Sequence, residues 1–374
     1  MIAGILELTG KGGGFLRRRE AGYAPDSSDL RVDDRLIRQL GLRPGDEVVG
    51  EAGNGPRGRG RELGRVTTIH GRSPEALGER RDWTRLTAIH PNELLRLESP
   101  LVRQGQPDFT TRVIDLLCPF GKGQRALIVA PAKAGKTMVL QAIAAGILAN
   151  DAKVAVFILL VDERPEEIFE MEAAGVGEVI ASSFDHPPAR HVACAELLVE
   201  RARRRVELGD DVVIILDSLT RLARAFNAVG KSSGRTLSGG MDANSLERPK
   251  RLLGSARKID PKEGGGSLTI IATALIDTGS KMDQLIYEEF KGTGNSELVL
   301  SRELAERRIY PAIDLVASGT RREELLLDEG ALAATHQIRQ RIARLTPLVA
   351  MNDLLVDLKR HRTNAELIAA VARG

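Results

Sequence analysis

The sequence predicts an α/β protein in which a small β-barrel precedes a parallel-sheet core with a helical C-terminal part, and three patterns predict it. From Met1 to about Glu98, short segments such as GILEL and DEVVGEA are separated by the turn-formers GKGGG, APDSSD, RPGD and GNGPRGRG. Short strands at that spacing form a barrel pattern, with one brief helix expected over Asp33–Leu40. After SPLVRQGQPDFTTR, the continuous apolar runs RALIVA, KVAVFILLV, EVIASS, DVVIILDS and SLTIIATALI read as strands buried on both faces. Amphipathic stretches lie between them, with helices expected at Thr137–Leu148 and Arg190–Leu208, and this alternation marks a parallel sheet. From Arg321 onward REELLL, QIRQRIARL, LLVDLKRH and AELIAAVA carry a helical period. The expected division is 1–98 for the barrel, 99–114 for a linker and 115–374 for the core with its helical end.

A length of 374 residues is enough for two or three cores, and 42% hydrophobic with 28% charged residues is a soluble globular composition. A net charge of +3 is too small to argue for nucleic acid, so local clustering has to carry any such argument. Cys118 and Cys194 are far apart and lack metal-ligand spacing, so both are expected as buried apolar residues. The first apolar run is too short for a signal peptide and no stretch reaches the ~18 apolar residues of a membrane span. A cytoplasmic protein without membrane association is expected.

The segment GQRALIVAPAKAGKT, Gly123 to Thr137, places a buried strand, a small-residue loop and then Gly135-Lys136-Thr137 at a helix start. Small residues let backbone N–H groups and a helix N-terminus point at phosphate oxygens. Lys136 would reach the β- and γ-phosphates and the Thr137 hydroxyl would ligand Mg²⁺. The full P-loop pattern is broken at its first position, where Ala130 stands for Gly. The strand DVVIILD ends on Asp217, where an open α/β sheet carries its functional groups, so Asp217 is the candidate Mg²⁺ carboxylate and also a candidate helix cap. A second strand, VFILLV, runs into Asp162-Glu163-Arg164-Pro165. A carboxylate there can orient the attacking water, and position alone favours Glu163 over Asp162 only modestly.

With these residues in view, APAKAGKT, VDERPEE, ILDSLTRLARAFN, SGRTLSGGMDANS, GGGSLTIIATALIDTGSKMD, YEEFKGTGN and SGTRREELL resemble, in this order, the motifs of the bacterial Rho family of transcription terminators. The resemblance runs from Gly4 nearly to the C-terminus and is densest from Asp115 to Leu325. It implies a RecA-type P-loop core, an OB/cold-shock-like barrel, ATP and Mg²⁺ as cofactors, and a homohexameric ring. It implies that Lys133, Ala134, Gly135, Lys136, Thr137 and Met138 bind ATP, with Tyr310 stacked on the adenine. Glu163 matches the catalytic carboxylate and Arg164 its neighbour. Arg321, in SGTRRE, matches an arginine finger that reaches the neighbouring subunit's γ-phosphate, and Arg308 matches a further arginine sensor. Two channel loops are implied, Ser233–Ser245 with Arg235 and Asp277–Asp283 with Lys281, both gripping RNA.

GILELTGKGGGFLR resembles the family's primary RNA site, where bases stack on aromatics and cations hold the backbone. Phe15, Arg17 and Arg31 are the implied RNA-binding residues. Gly13 occupies the first aromatic position of the family's GFGFLR, and Arg31 stands where the family commonly has Tyr, so guanidinium groups replace stacking and the cytosine preference is in question. The resemblance also implies a small helical subdomain ahead of the barrel, which a sequence opening directly on the barrel is expected to lack. The expected function is an RNA-dependent ATPase and 5′-to-3′ translocase that dislodges RNA polymerase from a single-stranded transcript. The competing readings are a rotary-ATPase-like subunit, opposed by the barrel motif and DTGSKMD, and a non-hydrolysing RNA-binding protein that uses ATP to assemble, opposed by Glu163 and Arg321.

Overall fold

A computed structural model describes residues 1–10, 12–54, 61–78, 80–103, 105–230 and 238–373. Strands β1 (Ile2–Leu8), β2 (Gly14–Arg17), β3 (Leu30–Val32), β4 (Glu47–Asn54) and β5 (Arg61–Ile69) close into a barrel in the order β1-β2-β3-β5-β4. Alternate residues point inward, so Leu6, Leu16, Leu30, Val32, Val48, Leu63 and Ile69 form its core. Helix α1 (Asp34–Leu40) starts where the Asp33 carboxylate accepts the Arg35 N–H at 2.7 Å, a cap written in the sequence.

A short strand β6 (Ala88–Ile89) and a hairpin, β7 (Val102–Arg103) and β8 (Gln106–Pro107), lead to α2 (Thr110–Leu117) and then to the core. There β9 (Arg125–Pro131), α3 (Lys136–Asn150), β10 (Ala155–Glu163), α4 (Pro165–Ala173), β11 (Glu178–Ser183), α5 (Pro188–Val206), β12 (Asp211–Asp217) and α6 (Leu219–Val229) alternate. They are followed by α7 (Glu247–Leu253), β13 (Arg257–Ile259), β14 (Ser267–Ile276), α8 (Lys281–Lys291), β15 (Ser296–Val299), α9 (Arg302–Glu306) and β16 (Gly319–Thr320). The sheet runs β11-β10-β12-β14-β9-β15-β16, and its first six strands are parallel. Helices α10 (Glu329–Ile342), α11 (Pro347–Arg360) and α12 (Asn364–Val371) close one face. Cys118 and Cys194 are free and buried.

The division at residue 98 shifts, because burial draws the boundary and composition does not. Trp83 and Leu86 belong to one core cluster of the sheet, Leu95 and Leu97 to the other, and β6 pairs with β13. All of α2 is buried in the same body. The barrel proper therefore ends near Ile69, and the chain from about residue 80 serves the sheet.

Barrel and sheet meet through buried ions. Arg201 of α5, 5% exposed, forks onto Glu178 at 2.5 and 3.0 Å, reaches Glu47 of the barrel at 2.9 Å and the Tyr23 hydroxyl at 2.9 Å, and lies over Phe157. Removing one partner of such a cluster leaves uncompensated buried charge, so Arg201→Ala is expected to cost about 3–5 kcal/mol, read as a lower thermal midpoint. Arg201→Lys keeps the charge but loses the fork and should fall between. An unchanged midpoint in Arg201→Ala would remove this cluster from the forces joining the two bodies.

Candidate nucleotide site and nucleic-acid surfaces

Strands β9, β10, β12 and β14 end at one edge, which gathers their C-terminal residues. After β9 the loop passes exposed Lys133, at φ 63, and buried Ala134 to Gly135, at φ 84, which precedes α3. Lys136 and Thr137 open the helix and Met138 follows, all three half-buried. Tyr310 is exposed and leans over the loop, where a side chain at Gly135 would meet its ring at 3.5 Å. Arg302 donates to the Ala132 carbonyl at 3.3 Å and supports the loop from outside.

The centre of the site is ionic. Lys136 Nζ donates to Asp217 Oδ1 at 2.5 Å and to Glu163 Oε1 at 3.2 Å, and the Thr273 hydroxyl donates to Asp217 at 2.7 Å. Burial opposes the charge on Lys136, but Asp217 and Glu163 more than offset it and its pKa is raised. Burial, a hydrogen bond shared with Glu167 and the charge of Asp217 together push Glu163 up to about 8.

A bulge separates Glu163 from Asp162. Val156, Ile158 and Leu160 face the core layer that holds α3, so strict alternation would turn Asp162 toward Lys136. The β10–β11 register shifts between Val161 and Glu163, with Asp162 at φ 58, and the shift re-aims Glu163 into the site while Asp162 stays part-exposed. Arg221 of α6 holds the bulge by donating to the Asp162 carbonyl, and its Nη2 lies 3.5 Å from Glu163 Oε2. Sequence reasoning missed Arg221, Arg302 and Thr273. Only Arg221 left a signal, an arginine one turn after the strand that ends in Asp217.

Other predicted residues lie elsewhere. Arg164 is exposed at the N-cap of α4. Arg308, exposed at φ 59, follows α9 on the P-loop side of the sheet. Arg321 is at the opposite edge, since its N–H binds the Asn295 carbonyl and the Asn295 N–H binds the Arg125 carbonyl at the start of β9. The length of β9 puts its backbone roughly 20 Å from the P-loop, at about 3.3 Å per residue.

Of the two loops expected to contact RNA, Arg235 lies outside the described residues. The stretch at Gly239 packs on the start of α8, where a side chain would strike the Met282 backbone at 2.5 Å, so both loops share one location. Lys281 is exposed there, and buried Asp283 is clamped by Arg224 at 2.7 and 2.6 Å. On the barrel, Phe15 pairs across strands with exposed Arg31. Arg17 lies over the Phe15 ring at 4.9 Å, but it is buried and committed to Asp29 at 2.7 Å and Glu7 at 2.5 Å, so its charge is internally balanced. Gly13 sits at φ 75, and a β-carbon would lie 2.9 Å from the Val32 carbonyl; a simple aromatic replacement there meets backbone strain.

The ATP synthase alpha/beta family nucleotide-binding domain matches residues 110–320, and the Rho termination factor RNA-binding domain matches residues 2–75. Transcription termination factor Rho of Cereibacter sphaeroides is 48% identical over 97% of this chain and 85% of its own length. This chain belongs to the Rho family. The Rho of Pseudomonas fluorescens biotype C is 49% identical over 99% of the chain and 87% of the relative. Against the Rho of Gemmatimonas aurantiaca the identity is 51% over 95% of the chain, which spans only 48% of that longer relative. Among solved structures, an ATPase of the type III secretion system of pathogenic bacteria aligns at TM-score 0.59 and 26% identity, covering 75% of this chain and 78% of that one. The assembled ATPase EscN from enteropathogenic E. coli aligns at 0.58 and 25%, covering 75% and 63%. The Rho-type barrel thus joins a nucleotide-binding core shared more widely among ATPases.

A carboxyl group raised to about 8 is protonated below that pH and cannot act as a base. For the free enzyme, kcat/KM for ATP is expected to rise as pH increases through about 8, and Glu163→Gln should abolish that limb. A limb retained by the variant would assign the titration to another group.

Proposed function

We propose that this chain is an RNA-dependent ATPase that moves 5′ to 3′ along a single-stranded transcript and terminates transcription by dislodging RNA polymerase. The observation that carries the reading is the shared sheet edge, where β9, β10 and β12 bring Lys136, Glu163 and Asp217 together and β14 leads into the loop of Lys281. Lys136 is poised to exchange its carboxyl partners, Asp217 and Glu163, for phosphate oxygens, so its charge stays compensated. Once Lys136 is so engaged, Glu163 is free to orient and polarise a water molecule. Lys133, Ala134, Gly135 and Thr137 line the phosphates, with Met138 and Tyr310 beside the base. Thr137 and Asp217 are hard oxygen donors suited to Mg²⁺, and Mg²⁺ supplies neutralisation of phosphate charge.

The position of Arg321 supports a ring. Its backbone is too far from its own P-loop to serve it, so its phosphate partner belongs to a neighbouring copy, as in a homohexamer, with Arg308 and Arg164 nearer the chain's own site. Such trans arginines are typically worth ~10³–10⁵ in rate. RNA enters by Phe15 and Arg31 on the barrel, with Arg17 shaping that face, and is gripped by Lys281 and Arg235. A cytoplasmic protein fits these partners. The rotary-type reading shares the core but leaves the Rho-type barrel without a role.

ATP turnover with and without poly(C) or poly(U) tests the reading directly, and turnover indifferent to RNA would sink it. Lys136→Ala should weaken nucleotide binding and turnover together. Glu163→Gln should bind ATP nearly normally and hydrolyse it at least ~100-fold more slowly, the scale of a lost general base. Mixing Arg321→Ala with Lys136→Ala chains should restore part of the activity, because mixed rings contain intact interfaces. If mixing is verified and no activity returns, Arg321 does not act across the interface.

A further inference from the structure

We propose that the seam between barrel and sheet carries an additional phosphate-binding surface for single-stranded RNA, formed by Arg81, Arg85 and Lys262; this rests on the RNA-dependent reading above. A cavity of about 590 Å³ opens there, lined by Arg43 from the barrel, by Arg80, Arg81, Asp82, Arg85 and Leu86, and by Lys262 with Glu263 from the sheet body. Its charges divide into those already committed and those left free.

Arg80 is held by buried Asp46 at 2.7 and 2.5 Å. Arg43 is held by buried Glu207 at 3.1 Å and by the carbonyls of Arg80 and Arg81. The two carboxylates of the lining are turned toward the backbone. Asp82 accepts the Thr84 N–H at 2.8 Å and hydroxyl at 2.7 Å, and Glu263 accepts the Thr87 N–H at 2.6 Å and hydroxyl at 3.0 Å. Arg81, Arg85 and Lys262 are exposed, and among the described residues no carboxylate lies within ion-pairing distance of them. Beneath them Trp83 is buried under Arg257, whose guanidinium is 4.7 Å from the ring centre and also lacks a carboxylate. Burial, and after it the neighbouring cations Arg203 and Arg125, lower the Arg257 pKa, so the ground under Trp83 is locally positive.

Phosphate is the ligand this chemistry selects. Two of the three free groups are guanidinium forks, which match phosphate oxygens in pairs. Trp83 is only 4% exposed and offers no stacking face, so recognition is by backbone charge and is indifferent to base. The evenly repeated phosphates of a single strand can meet all three cations at once, which favours an RNA strand over an acidic protein. Because the three cations are exposed and unpaired, neutralising them frees no buried charge.

The test uses the full chain and the triple variant Arg81→Gln, Arg85→Gln, Lys262→Gln, titrated with oligo(C) and oligo(U) at several salt concentrations. The slope of log K against log salt should become shallower by about 2, at ~0.7 per phosphate contact on a single strand. The loss should be the same for both oligonucleotides, and more RNA should be needed for half-maximal ATP turnover. Arg85→Glu, which adds repulsion, should weaken binding beyond Arg85→Gln. If the unsubstituted chain fails to bind RNA, the reading of the previous subsection fails. If it binds and the triple variant matches it in affinity and slope, this proposal alone is overturned and a protein partner becomes the better account of the seam.

Discussion

One half-buried charge, the ammonium of Lys136, organises the nucleotide end of the molecule. It lies between Asp217 and Glu163 at the edge where three parallel strands stop. Two carboxylates this close, 3% and 1% exposed, are costly to bury together without a cation. The shared lysine lowers that cost, and the carboxylates in turn keep the lysine charged in a place that would otherwise favour its neutral form. The result is a site already arranged for anions: a phosphate group that draws Lys136 away also changes the surroundings of Glu163.

The same logic governs the join between the two bodies. Among the described residues apolar contact from the barrel includes Ile5 and Tyr23, which join one sheet-side cluster. Most of the seam is ionic, with Arg201 among Glu47 and Glu178 and with Arg80 and Arg43 over Asp46 and Glu207. Ion pairs demand fixed geometry and resist sliding, so the barrel is held in one orientation. A greasy seam of equal area would tolerate more rotation. In the proposed function orientation matters, because the barrel and the channel loops would serve the same strand of RNA.

Much of this was legible beforehand. The apolar runs marked five strands of the sheet, and DDRLIRQL marked the short helix of the barrel region, because hydrophobic period is a local property. The places of the P-loop and Asp217 were legible because a motif at a strand end has one place to go in an open sheet, whereas the 277–283 loop was named only by the resemblance. Glu163 was the weaker inference, since alternation along β10 points Asp162 at the lysine and only the bulge reverses them. Arg17 was read as a ligand of RNA from its neighbours in the motif, yet Glu7 and Asp29 reach it across the barrel.

By itself, then, the sequence determined the class of fold, the family, and which strand ends carry chemistry, because each of these is written in short-range pattern and motif. Only the tertiary structure decided which carboxylate faces Lys136, which arginines are already neutralised, where the barrel ends and that Arg321 lies across the sheet from its own P-loop. Those are properties of register, burial and long-range pairing. A residue's neighbours in space are set by how strands stack and bulge, and nothing in the order of residues along one strand reports the charge that another strand will bring beside it.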